Sequence, residues 1–225
     1  MMHRTLRTLF ALIVCALLLG AMQPTAIAAT SVQTVKLANG KSVNWPPQLG
    51  QPYPELELVD RTGKIVKLTD FKGKIIILEP IGMTCPACNA FAGGAKKGGF
   101  KGMEVERGAD AIADYFTRYT GGLSLDDDRI VFISLLLYNM YMRGPTQEDA
   151  ADWAEHFGLD QKKNAYVLAG GPELIGQASY DMIPGLQLID QNFILRSDAT
   201  GHRPHDNMWT TLFPMVPKLL QEKSK

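Results

Sequence analysis

Two cysteines, Cys85 and Cys88, are the residues whose type and spacing most directly suggest chemistry. They lie in the sequence Cys-Pro-Ala-Cys, shortly after an apolar run. Proline favours the first turn of a helix, because the N–H that it lacks has no partner there. The pattern therefore predicts that Cys85 lies at a helix N-terminus and that Cys88 lies one turn later, close enough for a disulfide.

The predicted helix start also indicates which cysteine is the nucleophile. A helix N-terminus favours negative charge by roughly 0.3–1 kcal/mol, which is less than one pKa unit at about 1.36 kcal/mol per unit. Cysteines in such motifs reach pKa values of roughly 3.5–7.5, so direct N–H contacts to the sulfur must supply the rest. We predict that Cys85 is the attacking thiolate and Cys88 the resolving thiol.

The first 28 residues indicate export. Arg4 and Arg7 precede an apolar run over residues 9–19, and Ala26-Ile27-Ala28 fits a cleavage site. This arrangement is typical of a secretory signal peptide, and the run is shorter than the roughly 20 apolar residues of a membrane span. We expect a periplasmic protein. The alternative is an uncleaved anchor that holds the protein on the membrane, facing the periplasm.

Cleavage after residue 28 would leave only the two cysteines of the motif, because Cys15 lies in the removed segment. In an oxidising compartment such a pair forms a disulfide unless a partner reduces it. A purely structural disulfide is the simpler alternative, but a ring of four residues stabilises little through chain entropy. Cleavage also removes two of the 23 basic residues and none of the 23 acidic ones, and this balance does not suggest a nucleic-acid partner.

The remaining chain predicts strands that alternate with helices, which is an α/β sheet covered on both faces. Residues 29–49 are interpreted as a loop-like N-terminal extension, and residues 50–225 as one domain. The Gly- and Lys-rich residues 91–102 predict a mobile loop. Strands are predicted at 55–60, 64–68, 74–78, 130–138, 165–169, 186–190 and 193–196, and helices at 109–119, 146–157, 172–179 and about 206–222.

Three features resemble the thioredoxin-like superfamily, in its exported TlpA-like or redoxin branch, over about residues 50–222. The first is the strand followed by Cys-Pro-Ala-Cys, and the second is the hairpin segment at residues 58–74. The third is Met182-Ile183-Pro184, followed by the predicted strand at residues 186–190. The resemblance implies a central mixed β-sheet flanked by helices, an N-terminal β-hairpin, and a Gly/Lys-rich insertion after the motif.

The resemblance also implies a substrate-binding surface around the motif. The Ile183–Pro184 bond is expected to be cis, which proline allows at a cost of roughly 0.5–1 kcal/mol. This loop is expected to pack beside the cysteines and to offer backbone groups to a substrate, together with Thr84 and Pro86. Thr84 departs from the pattern of the family, which has an aromatic residue before the first cysteine.

Glu79, six residues before Cys85, resembles the buried carboxylate of the family that accepts the proton of the resolving cysteine. Burial would raise its pKa towards neutrality, which suits a general base. The alternative is a partly solvated side chain without a catalytic role. The expected catalytic residues are therefore Cys85, Cys88 and Glu79, with no cofactor and no metal.

These features predict an exported thiol–disulfide oxidoreductase. Its expected partners are protein thiols and disulfides and a membrane or periplasmic redox protein. Membrane contact is expected only if the N-terminal segment stays uncleaved. A peroxiredoxin is disfavoured, because its pattern needs a cysteine at Ala87.

The alternative is a copper(I)-binding protein, since two thiolates suit this soft ion. Residues 82–88, GMTCPAC, match the pattern of heavy-metal-associated domains. A Sco-type copper chaperone shares the thioredoxin-like fold but uses a C-x-x-x-C motif and a distant histidine. Met182 stands here where that histidine would fall.

Overall fold

The structure is a computed structural model that describes residues 32–222, so the predicted signal peptide lies outside the described residues. Within that range the chain forms strands, helices and short 3-10 turns in alternation. The strands are β1 (Gln33–Lys36), β2 (Ser42–Trp45), β3 (Glu57–Asp60), β4 (Ile65–Lys67), β5 (Ile75–Gly82), β6 (Ile130–Tyr138), β7 (Ala165–Ala169), β8 (Gly185–Ile189) and β9 (Leu195–Thr200). The α-helices are α1 (Pro86–Phe91), α2 (Gly94–Lys97), α3 (Ile112–Tyr119), α4 (Gln147–Phe157), α5 (Gln177–Asp181) and α6 (Phe213–Leu219).

Seven of these strands form one sheet, in the order β4-β3-β7-β6-β5-β8-β9. β5, β6 and β7 run parallel to one another, whereas β8 lies antiparallel to β5 and β9 antiparallel to β8. On the far side, β3 pairs antiparallel with both β7 and β4. The prediction of an α/β fold with a central mixed sheet and a β3–β4 hairpin is confirmed.

The central position of β5 follows from its composition. All eight of its residues are buried, as expected for a strand covered on both faces. Ile76 and Leu78 point into the core on one face, and Ile75 and Ile77 point into the core on the other. The sequence predicted a strand at residues 74–78, but β5 continues to Gly82. Its pairing with β8 ends at Leu78, so only β6 remains as a ladder partner around Pro80.

The segment before β3 is more ordered than the sequence predicted. β1 and β2 pair antiparallel, with Gln33 opposite Trp45. The Trp45 side chain is buried in the main core, and its Nε1 donates a hydrogen bond to Ser179 Oγ over 2.8 Å. The loop interpretation of this segment was wrong because the contacts that order it come from distant residues.

The Gly/Lys-rich segment is also folded, which corrects the prediction of a mobile loop. It forms α2 and a 3-10 turn at Phe100–Gly102. Phe100 is buried, with its ring 5.3 Å from that of Trp153. A Cβ on Gly99 would lie 1.9 Å from the Met103 carbonyl oxygen, so glycine here permits close packing of the backbone.

The helices predicted at residues 109–119 and 146–157 are present with changed boundaries, as α3 and α4. The single helix predicted at residues 172–179 is wrong, because the chain is extended at Ile175 and Gly176 breaks the segment into a 3-10 turn, Pro172–Leu174, and α5. α4 begins after Thr146, whose Oγ1 accepts a hydrogen bond from the Asp149 N–H over 3.2 Å. The predicted C-terminal helix is a π-helical turn, Met208–Leu212, that continues into α6. No helix among residues 32–222 has the length and apolar character needed to cross a membrane.

Candidate active site

The motif lies where β5 meets α1. Cys85 is the N-cap residue of α1 and Pro86 occupies its first turn, as the sequence predicted. The Cys85 N–H donates to the Gly82 carbonyl oxygen over 2.9 Å, which turns the chain sharply at the end of the strand. The Cys88 N–H then donates to Cys85 Sγ over 3.2 Å. Both cysteines are free thiols in the structure.

The two thiols have opposite electrostatic environments. Hydrogen bonds from the Cys88 thiol and from the N–H groups of Cys88 and Ala87 lower the pKa of Cys85 to about 7, against an opposing effect of partial burial. Complete burial raises the pKa of Cys88, and its hydrogen bond to Cys85 adds to that rise. Cys85 is therefore the more acidic thiol and the more accessible one.

Glu79 lies behind the motif, inside β5 and opposite Ser134 of β6. The sequence had placed it just beyond the strand. Its side chain is fully buried, and neither carboxyl oxygen has a hydrogen-bond partner among residues 32–222. Burial raises the pKa of Glu79 well above its ordinary value, and the negative charge of Cys85 raises it further. Glu79 in turn helps to raise the pKa of Cys88.

The loop before β8 lies beside the motif. The Ile183–Pro184 bond is cis, as the resemblance implied. Ile183 is half-buried, and a Cβ added to Gly82 would lie 3.5 Å from its Cδ1. The Ile183 side chain therefore packs against the end of β5.

An open cleft of about 310 Å³ passes over the motif. Cys85 opens into it, together with the four predicted substrate-binding residues Thr84, Pro86, Ile183 and Pro184. Cys88 and Glu79 are not part of the lining. The remaining lining residues are Gly82, Ala87, Glu106, Tyr138, Met142, Tyr180 and His202.

Several lining residues were missed by the sequence analysis because they come from separate parts of the chain. Tyr138 ends β6, and the parallel pairing of β5 with β6 brings it beside the motif. Its hydroxyl donates to the Gly176 carbonyl oxygen over 2.7 Å. Met142 Sδ accepts a hydrogen bond from Thr84 Oγ1 over 3.4 Å. The position of Tyr138 at the end of a buried strand was a usable signal; Met142 lies in a turn and offered none.

Asn89, directly after Cys88, was also missed. Its side chain is fully buried, and Nδ2 donates to the carbonyl oxygens of Met83 and Cys85 over 3.0 and 2.9 Å. Its Oδ1 accepts from the Phe100 N–H over 2.7 Å. Asn89 therefore joins the turn that carries Cys85 to the Gly/Lys-rich segment.

The suggested third copper ligand, Met182, lies elsewhere. Its side chain is buried in the core that contains Trp45 and Leu78, and it does not line the cleft. Met142 and His202 are the methionine and histidine that do. Residues 32–222 contain no group of three or more His, Cys, Asp or Glu side chains that could hold a metal ion.

Comparison with known proteins bears on the fold. No protein-family model matches the chain, and no curated protein matches it. Among solved structures, a SCO1/SenC family lipoprotein from Bacillus anthracis str. Ames is 16% identical and has a TM-score of 0.51 over 77% of this chain and 97% of its own. A proposed protein disulfide isomerase from Bacteroides thetaiotaomicron is 16% identical, with a TM-score of 0.50 over 79% of this chain and 92% of its own. BsSco, a member of the Sco family of cytochrome c oxidase assembly proteins, is 13% identical, with a TM-score of 0.50 over 85% of this chain and 100% of its own.

The fold is thioredoxin-like. The strand order, the C-x-x-C motif at the start of α1 and the cis-proline loop before β8 agree with this assignment. A thioredoxin-like fold supports more than one chemistry, so function has to be argued from the residues of the site.

Proposed function

We propose that the protein is an exported thiol–disulfide oxidoreductase that exchanges a Cys85–Cys88 disulfide with partner thiols. The observation that carries the proposal is the pairing of a partly exposed, acidic Cys85 thiol with a buried Cys88 thiol one helical turn away. A pKa of about 7 gives a substantial thiolate fraction at neutral pH while the sulfur keeps much of its nucleophilicity.

In the reducing direction, the Cys85 thiolate attacks one sulfur of a partner disulfide. The partner S–S bond breaks, one partner thiolate leaves, and a mixed disulfide forms. Glu79 as a carboxylate then takes the Cys88 proton, and the Cys88 thiolate attacks Cys85 Sγ. The second partner thiolate leaves, so two electrons pass to the partner and the protein retains a disulfide. The oxidising direction is the reverse of these steps.

The environment of Glu79 supports its role as general base. A buried carboxyl group with a raised pKa binds a proton more readily near neutral pH than a solvated one does. The negative charge of a Cys85 thiolate also disfavours ionisation of Glu79, and this effect ends once Cys85 enters a mixed disulfide. Glu79 is therefore suited to take the proton at the resolution step.

We place the substrate in the cleft, against the Ile183–Pro184 loop and Thr84. The partners would be protein thiols and disulfides and a redox protein of the periplasm or membrane. Export rests on the N-terminal sequence, with the membrane-anchored form as its alternative.

The direct test compares disulfide exchange by the wild type, Cys85→Ser and Cys88→Ser, with a small disulfide and with a reduced protein substrate. Cys85→Ser should abolish both reactions, because the attacking sulfur is gone. Cys88→Ser should accumulate mixed disulfides visible by mass spectrometry, because no thiol remains to resolve them. The reduction potential of the pair then gives the physiological direction.

The copper(I) alternative gives a different result in the same experiment. It predicts one tightly bound Cu(I) in the reduced protein and no exchange with protein or small-molecule disulfides. Met142→Leu and Met182→Leu locate such a site: a cleft site would lose affinity only with the first variant, because Met142 lines the cleft and Met182 does not. Exchange activity without tight copper binding removes the alternative.

A further inference from the structure

The chain that follows the Gly/Lys-rich segment returns to the motif and brings Glu106 beside it. The Glu106 N–H donates to the carbonyl oxygen of Pro86 over 3.1 Å. This bond ties the Glu106 backbone to the first turn of α1. The Glu106 side chain is exposed and lines the cleft into which Cys85 opens.

Glu106 contributes an exposed carboxylate to this cleft. It is the only carboxylate among the described residues that line the cleft, and no Lys, Arg or His in residues 32–222 forms an ion pair with it. The negative charge of Glu106 acts on the reacting sulfur, since it opposes the lowering of the Cys85 pKa. A negative charge that disfavours the Cys85 thiolate does not assist attack by that sulfur. We therefore look for the role of Glu106 in the partner that binds in the cleft.

We propose that Glu106 determines specificity, by favouring partners that carry positive charge beside the reacting sulfur and disfavouring those that carry negative charge. The inference rests on the proposed function, since it concerns the partner of the same cleft. Charges within a few ångströms of each other at a solvated surface change association and transition-state energies enough to alter a rate about twofold to fivefold. The partner class is therefore a thiol or disulfide with lysine or arginine nearby.

Two small disulfides of opposite charge test this directly. Cystamine carries two ammonium groups, and 3,3′-dithiodipropionate carries two carboxylates. The reduced protein gives two electrons to either one: Cys85 displaces one probe thiolate and Cys88 displaces the other as the Cys85–Cys88 disulfide forms. The second-order rate constants are measured at pH 8 and low ionic strength, where Cys85 is largely thiolate.

The ratio of the two rate constants is compared between the wild type, Glu106→Gln and the matched control Glu104→Gln. Glu104 is an exposed glutamate two residues earlier that does not line the cleft. We expect Glu106→Gln to lower the cystamine-to-dithiodipropionate ratio about fivefold to tenfold, and Glu104→Gln to change it by less than about twofold. The effect should largely disappear in about 1 M salt, where the screening length is roughly 3 Å.

The ratio separates charge selection from a change in the nucleophile, because a shifted Cys85 pKa alters both rates by the same factor. An unchanged ratio in Glu106→Gln, or an equal change in Glu104→Gln, overturns the inference while the proposed function stands. A reduced wild type that reacts with neither probe overturns the proposed function itself.

Discussion

The backbone N–H of Cys88 points at the sulfur of Cys85 over 3.2 Å, so the resolving residue stabilises the nucleophile before it reacts. The same helical turn buries the Cys88 side chain completely. One turn of helix thus lowers the pKa of one thiol and holds the other in a desolvated position where its pKa is raised.

Alkylation of the reduced protein should therefore be selective. We expect iodoacetamide to label Cys85 with a rate that reaches half its maximum near pH 7, and Cys88 to stay unlabelled across that range. Peptide mass spectrometry after short pulses gives both rates. Equal labelling of the two cysteines at about pH 6, below the pKa of an ordinary thiol, contradicts the assignment of Cys85 as the nucleophile.

Glu79→Gln should slow the second step of exchange and leave the first step nearly unchanged. Glutamine cannot take a proton from Cys88, and general-base assistance is typically worth about 10²–10⁴-fold. Rapid-mixing kinetics with a chromogenic disulfide resolve the two steps. The resolution rate of the wild type should also rise with pH as the Glu79 carboxyl group ionises, at a pH above the ordinary range of glutamate, and this dependence should vanish in the variant.

Asp198→Asn is the matched control for that experiment. Asp198 is also a largely buried carboxyl group whose pKa burial raises, but it hydrogen bonds to Gln187 and Thr200 instead of lying behind the motif. Its replacement should leave the resolution step intact. A wild-type resolution rate and pH profile in Glu79→Gln would leave Glu79 as a structural residue only.

Stability should depend on pH through Glu79 with a defined sign. Its pKa is raised in the folded protein, so above about pH 4.3, the ordinary value for glutamate, the folded state holds a proton that the unfolded state releases. The contribution of this proton to the free energy of unfolding is fully present below that pH. It is lost as the pH rises through the pKa that Glu79 has in the folded protein. Glu79→Gln should therefore gain stability relative to the wild type as the pH rises above the ordinary value for glutamate. Urea unfolding of the wild type and the variant, each in its disulfide form, measures this gain. A difference in free energy of unfolding that does not change with pH contradicts the expectation.

Asn89→Ala should destabilise the protein by about 1–3 kcal/mol, because it leaves the buried Phe100 N–H without its acceptor. It also removes two hydrogen bonds that hold the turn before α1. Denaturant unfolding measures the change, with the exposed Asn44→Ala as control, expected within about 0.5 kcal/mol of the wild type. A loss as small as that of the control would mean that the Gly/Lys-rich segment does not depend on Asn89.

Trp45→Ala tests whether the N-terminal extension is part of the folded unit. Trp45 is 2% exposed, so removal of its ring should cost about 3–5 kcal/mol in free energy of unfolding. The comparison variant is Val32→Ala, at a residue that is 45% exposed. A loss below about 1 kcal/mol, the range of ordinary surface changes, means that residues 29–49 contribute little to the stability of the domain.

The sequence alone determined the features that depend on neighbours along the chain. Cys85 caps a helix because Pro86 follows it, and β5 is central because it begins with an uninterrupted apolar run at residues 75–78. The α/β class follows from the alternation of such segments. The cis bond before Pro184 came from the resemblance to a family, since an Ile-Pro pair does not by itself specify the isomer.

The tertiary structure decided everything that depends on residues distant in sequence. The glycines at 98 and 99 suggest mobility until Phe100 is seen packed on Trp153 and hydrogen bonded to Asn89. The charge of the cleft depends on Glu106, which reaches the motif only because the intervening segment folds back onto α1. Local patterns specify the conformation of the backbone. The desolvation of a sulfur atom, and the charges that act on it, depend on which side chains lie within a few ångströms of it. Many of those side chains are distant in sequence, so only tertiary packing determines which they are.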